Sequence, residues 1–324
     1  MRRTLILGGT AWLGREIATQ LLASGNAVTC LARGSSGSAP VGATLEAIDR
    51  SDPEAYDRVK QQEWDDVIEL SYDQGFVTGA LRALASQAAH WTLVSSVSVY
   101  SSNAEPHADE TAEVVVAVNL SDYGHAKVAA EKVSTELVGD RLLIARPGLI
   151  GGPGDPSDRF GYWVGRFALA DTEPVLSPTT KGRTVQVVDV RDLASWVASA
   201  GRGRLTGTFN VVGNQHGLQE TLDRAATIAG YSGRTIEAPD EWLIEHAVNF
   251  WAGPRSLPLW LPEVDRGFTR RSNAAFISAG GVLRSLDDTL IGSLEYEQRC
   301  GLDRERRSGL SRHDELALLE ILSR

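Results

Sequence analysis

The apolar run Leu5-Ile6-Leu7 breaks at Gly8-Gly9-Thr10-Ala11-Trp12-Leu13-Gly14, and a helical spacing of Leu13, Ile17, Leu21 and Leu22 follows directly. Strand, glycine turn and helix in that order bring free backbone N–H groups and the positive end of a helix dipole to one spot, where a phosphate can sit. Gly8 permits the tight exit from the strand and Gly14 permits close packing of helix on sheet. Thr10, Ala11, Trp12 and Leu13 complete the turn as candidate contacts to a dinucleotide.

The alternation continues. Ala27 to Leu31, Leu45 to Ile48, Asp66 to Leu70, Trp91 to Val94 and Leu142 to Arg146 read as further strands, with helices expected over Pro53 to Lys60 and Phe76 to Ala88. Such alternation predicts an α/β fold, a Rossmann-like, doubly wound parallel sheet. Pro147-Gly148 and Gly151-Gly152-Pro153-Gly154 then interrupt it. The expected division is a dinucleotide-binding domain over 1–150 with a return at 185–200, and a smaller, discontinuous α+β substrate lobe over 151–184 and 201–324. Val185 to Val188 is the strand expected to rejoin the main sheet, followed by a helix over Asp192 to Ala200. Trp242, Trp251 and Trp260 either fill the core of the lobe or line a pocket in it. The last helix, Asp314 to Leu322, is amphipathic.

A net charge of -10, spread along the chain, argues against nucleic acid or an anionic membrane as partner and favours a small-molecule substrate. The basic start, Met1 to Thr4, leads into an apolar run too short for a signal peptide and reads as the first strand. Cys30 and Cys300 are far apart and outside any metal pattern, so no disulfide framework and no metal are expected, and a cytoplasmic location is the simplest reading.

After the second strand stands Leu31-Ala32-Arg33-Gly34-Ser35-Ser36, with no acid to bind an adenosine ribose. Arg33 offers a fork of donors to a 2′-phosphate, so NADP(H) is preferred and NAD(H) is the second choice. The other reading of Arg33 is a solvated loop charge. Asp49, after the third strand, is either a contact to the adenine amino group or a plain turn residue.

Tyr123-Gly124-His125-Ala126-Lys127 sets a phenol and an ammonium on one helix face. A tyrosine of ordinary pKa, near ~10, needs a neighbouring positive charge to act as an acid or base close to neutrality. Upstream, Ser95-Ser96-Val97-Ser98-Val99-Tyr100 puts hydroxyls at the carboxyl end of the fifth strand, the edge where such sheets bind ligands. Taken singly, the serines could serve as turn or capping residues and the Tyr/Lys pair could be a helix-surface pair.

In combination, these segments resemble the short-chain dehydrogenase/reductase superfamily, in the extended or atypical branch of NAD-dependent epimerase/dehydratase-like proteins. Arg146-Pro147-Gly148-Leu149-Ile150 and Val187-Val188-Asp189-Val190-Arg191-Asp192-Leu193 carry the resemblance further, so that it covers most of the chain. The resemblance implies that Tyr123 is the acid/base and that Ser96 orients the substrate oxygen. It also implies that Lys127 holds the nicotinamide ribose and tunes Tyr123, with Pro147, Gly148, Leu149 and Ile150 beside the nicotinamide. Two departures stand out. Ala11 occupies the place of a third glycine, where its methyl is expected to crowd the pyrophosphate, and Ser71-Tyr72-Asp73 stands where an asparagine is usual, with Ser71 the expected cofactor contact.

The leading functional expectation is an NAD(P)-dependent oxidoreductase transferring hydride to or from a carbonyl or secondary alcohol. A nucleotide-sugar epimerase or dehydratase retaining NAD is the alternative, and a non-catalytic dinucleotide-sensing protein is the alternative of another class. Arg159, Phe160, Trp163 and Arg183, which follow the glycine-proline break and mix aromatics with cations, are expected to face the substrate.

Overall fold

The fully buried strands lie side by side. The computed structural model describes all 324 residues, Met1–Arg324. Along the first half run β1 (Arg3–Leu7), α1 (Trp12–Ala23), β2 (Ala27–Ala32), β3 (Thr44–Ala47), β4 (Asp66–Glu69), α2 (Gln74–Leu84), β5 (Trp91–Val94), α3 (Tyr123–Val138) and β6 (Leu142–Pro147). Every residue of β4, β5 and β6 is buried, as strands covered by helices on both faces require, whereas the mostly exposed β3 forms an edge.

The second half contains β7 (Leu149–Gly151), α4 (Gly161–Ala170), β8 (Val175–Pro178), β9 (Thr184–Asp189), α5 (Val190–Gly203), β10 (Gly207–Val211), β11 (Gln215–Gly217), α6 (Leu218–Ala229) and β12 (Thr235–Ala238). The main sheet has seven strands in the order β10-β6-β5-β4-β1-β2-β3, all parallel. Chain direction across the sheet reverses between β1 and β4, which opens a crevice at their carboxyl ends. Helices α1 and α5 cover one face and α2 and α3 the other. A separate apolar core, with Phe160, Trp163, Phe167 and Trp260 at its centre, holds the second half together.

Two expectations are corrected. Residues 53–60 form a series of turns, because the Asp52 carboxylate accepts from the Glu54 N–H and the chain folds to bury Ala55, Tyr56 and Val59. Val185 to Val188 does not rejoin the main sheet. It lies in β9, which pairs with β7 and β11 in a three-stranded sheet, and β10 extends the main sheet beside β6. The helix that follows, α5, does return, packing against α1. Gly213 allows this crossing, since a Cβ there would stand 1.7 Å from the Val187 carbonyl oxygen.

Candidate active site

The turn after β1 is shaped by three glycines for three different reasons. Gly8 adopts φ +101°, a Cβ on Gly9 would meet the Cys30 Sγ at 2.5 Å, and one on Gly14 would meet the Gly8 carbonyl oxygen at 2.4 Å. Ala11 is extended backbone at φ −78°, so its place does not call for glycine. No side chain caps α1 and its first turn carries no acid, which leaves its N–H groups free toward the crevice. This cradle fits a dinucleotide pyrophosphate.

Beside the cradle, Gly8, Thr10, Ala11, Arg33, Ser35, Ser36, Asp49 and Ser71 line a cavity of about 230 Å³. Arg33 reaches Asp49 at 3.6 Å in a largely exposed ion pair. The Asp49 carboxyl is held below its ordinary pKa by the Ser51 N–H and hydroxyl and by Arg33. The neighbouring Arg50 escapes a sequence reading yet lines the same cavity; its fork is consumed by Glu69, at 2.8 and 2.5 Å, and by the Phe76 carbonyl. Arg33 is thus the cation of this cavity whose donors are not tied up by a buried partner.

A second cavity, of about 450 Å³, continues past Leu70 along the strand ends. Ser96, Tyr123, Lys127, Trp12, Leu13 and Pro147 to Ile150 all line it. The Ser96 hydroxyl accepts from the Ser98 N–H at 3.1 Å, so it caps the short turn Val97–Val99 and faces the cavity at once. That turn is anchored from behind: the Tyr100 hydroxyl donates to Asn210 Oδ1 at 2.6 Å and accepts from Arg146, whose fork grips Glu131. Gly124 lets α3 come in against it, since a Cβ there would lie 2.4 Å from the Ser98 carbonyl oxygen. Asp122 caps the helix through the His125 N–H, which fixes where Tyr123 starts.

Tyr123 is 45% exposed, and the desolvation it undergoes at the cavity wall pushes its phenol above its ordinary pKa. The neighbouring Ser96 hydroxyl and the Arg159 charge oppose the shift, and the Tyr72 phenol adds to it. Tyr123 is therefore a protonated phenol at neutral pH. Lys127 is 3% exposed, and its Nζ donates to the Val94 carbonyl at 2.6 Å. Burial depresses it to about 8 against the charges of Glu69 and Glu131. It sits beside the rings of Tyr72 and Tyr123, at 5.3 and 5.9 Å, and those two rings meet edge-on.

Residues 4–211 match the model of the NAD dependent epimerase/dehydratase family. The chain belongs to that family. No curated protein matches the sequence. Among solved structures, an epimerase candidate from Burkholderia cenocepacia J2315 is similar at 24% identity and a TM-score of 0.71, covering 92% of this chain and 98% of that one. The UDP-glucose 4-epimerase of Thermus thermophilus, in complex with NAD, is similar at 21% identity and a TM-score of 0.66, covering 91% and 99%. The UDP-glucuronic acid 4-epimerase of Bacillus cereus, also with NAD, is similar at 14% and 0.68, covering 92% and 99%. At these identities the likeness carries the fold. Family members are NAD-dependent enzymes, and the parallel sheet with its cradle is this chain's version of their nucleotide-binding half.

On the side facing that half, the epimerase/dehydratase-family chain departs from the sequence expectation at three residues of four. Arg159 lines the second cavity. Phe160 and Trp163 are 1% exposed and belong to the core of the second half, where the Trp163 indole donates to the Pro258 carbonyl at 2.7 Å. They were expected at the cleft, but α4 is enclosed on nearly every side and its aromatics pack. Arg183 bonds to Thr179, Leu261 and Asp240 in a separate recess with Arg266 and Arg270. The three tryptophans divide: Trp260 is core, Trp242 stacks on His246, and Trp251 lines the cavity. Tyr72 is a cavity residue that the sequence reading did not single out, Ser98 is one of the strand-end hydroxyls, and Trp251 takes the pocket-lining alternative. Tyr72 fills the place where an asparagine was missing, which was the available signal. Trp251 is delivered by backbone at φ +64°, in a stretch where Ala247, Arg255 and Leu259 are also left-handed, and no sequence pattern announces that.

Proposed function

We propose that this protein is an NAD(P)-dependent oxidoreductase acting on a carbonyl or secondary alcohol of a small molecule in the cytoplasm, with NADP(H) preferred and NAD(H) second. The observation that carries the reading is the meeting of Ser96, Tyr123 and Lys127 in one cavity beside Pro147 to Ile150, at the strand ends next to the glycine cradle. A bound nicotinamide dinucleotide supplies or accepts the hydride. Tyr123, held protonated, gives its proton to the substrate oxygen in reduction and takes it back in oxidation. Ser96 holds that oxygen through its hydroxyl. Lys127, buried with only a backbone carbonyl as partner, has N–H bonds left for a cofactor ribose. Arg33 faces the adenosine end and favours the 2′-phosphate. We assign substrate recognition to the lobe of residues 151–184 and 201–324, apart from β10.

Nucleotide-sugar epimerisation is the second reading, favoured by the UDP-sugar epimerases among the structural neighbours and by the arginine recess. Against it, the Arg183 guanidinium is already committed to Asp240 and the Leu261 carbonyl. Nicotinamide absorbance separates the two, since a reductase consumes reduced cofactor in proportion to product and an epimerase leaves it unchanged. Replacing Tyr123→Phe tests the chemistry: turnover should fall ~10²–10⁴-fold with cofactor affinity nearly unchanged. Parent-like turnover in that variant would remove Tyr123 from the mechanism.

A further inference from the structure

The lobe side of the active-site cavity holds a cation with no carboxylate in contact. Arg159 lines the cavity together with Ser96 and Tyr123. Its Nε donates to the Ser157 hydroxyl at 3.0 Å, and its guanidinium lies 5.2 Å over the Trp251 ring. Its two terminal nitrogens make no hydrogen bond, and no carboxylate oxygen stands within 4.0 Å. The acid on the same loop, Asp155, is 6% exposed, has its pKa pushed up by burial, leaves its Oδ2 without a partner, and acts on Arg159 only through space from beyond 4.0 Å. The loop therefore brings an acid close without making an ion pair.

A partly desolvated guanidinium with no carboxylate in contact keeps unused donors that an arriving anion can satisfy. Ser157 and Trp251 fix the orientation of the guanidinium while leaving its outer edge unused, and that edge presents two parallel N–H donors suited to a planar oxyanion. The left-handed backbone at Trp251 adds a second sign, because strain of this kind persists where the surroundings hold a side chain in place for use. We propose that Arg159, steadied by Ser157 and Trp251, anchors a carboxylate of the substrate, so that the molecule whose carbonyl or alcohol carbon meets Tyr123 is an acid. This rests on the oxidoreductase reading above and narrows it to carboxylate-bearing substrates.

Calorimetry tests this with pyruvate, acetoacetate and levulinate, each against its methyl ester. Loading the protein with NADP⁺ keeps the ketones from reacting, and the titration is repeated without cofactor. At least one acid should bind about tenfold or more tightly than its ester, as a hydrogen bond between charged groups allows. Arg159→Gln should level that difference, Arg159→Lys should keep part of it, and Arg82→Gln, on the exposed side of α2, should keep it all. No acid preference anywhere in the series overturns the proposal. So does a preference that survives Arg159→Gln, the result expected if Arg159 merely balances Asp155. The lysine variant keeps the test open should the glutamine variant fail to fold. Acid preference in a protein that binds no dinucleotide would reject the oxidoreductase reading and leave the anion site standing; dinucleotide binding without acid preference would reject the anion site alone.

Discussion

Lys127 is buried at the junction of β5 and α3, with the Val94 carbonyl as its hydrogen-bond partner and Glu69 and Glu131 supporting its charge from a distance. If its ammonium holds the cofactor ribose, only the protonated form binds well. With the side chain depressed to about 8, dinucleotide affinity should be full below that pH and should fall as pH rises through it. Fluorescence titration with NADPH across that range checks this, and Lys127→Met should lower affinity at neutral pH and flatten the profile. At this scale the convergence of Ser96, Tyr123 and Lys127 on one cavity was legible because each placement rests on a local rule: a hydroxyl at a strand end, and two side chains four apart on a helix. Phe160 and Trp163 were not, because an aromatic after a glycine-proline break reads equally as pocket wall or as core. Only the packing of α4 against its neighbours decides between the two.

Between α3 and the serine turn, the closest approach is made by Gly124 against the Ser98 carbonyl. Gly124→Ala should push the start of α3 outward and carry Tyr123 away from Ser96. Forcing a methyl against rigid backbone costs ~1–3 kcal/mol, so the variant should unfold at lower denaturant and lose activity even though no reacting group is changed. Unaltered stability would mean that the helix is not seated as described. Elements buried on both faces, such as β4 to β6, announce themselves by short apolar stretches, Val67-Ile68, Leu93-Val94 and Leu142 to Ala145, even though Asp66, Glu69 and Arg146 are buried with them. By contrast, nothing in the sequences of β9 and β10 says which of them joins the main sheet, and their exchange of roles depends on Gly213 passing over Val187, a contact between residues with no shared local pattern.

The two halves of the molecule meet around the cavity, and Trp12 is among the side chains that cross between them. Trp12, in the first turn of α1, donates its indole N–H to the Pro153 carbonyl at 2.8 Å, on the loop that continues to Asp155 and Arg159. Gly154, at φ +84°, lets the loop lie this close, since a Cβ there would be 3.1 Å from the indole nitrogen. Trp12→Phe keeps the ring and removes the bond. Stability should fall by only about 1 kcal/mol, while the KM of the substrate rises more than the Kd of the cofactor, because the loosened loop carries the substrate contacts. Equal changes in both would place Trp12 with the cofactor alone. Trp12 and Trp251 both border the cavity assigned to the nicotinamide, and the emission of an excited indole overlaps the absorption of reduced nicotinamide. Light absorbed by these two indoles should therefore reappear as nicotinamide fluorescence once the reduced cofactor is seated, giving the protein a built-in optical gauge of its own occupancy.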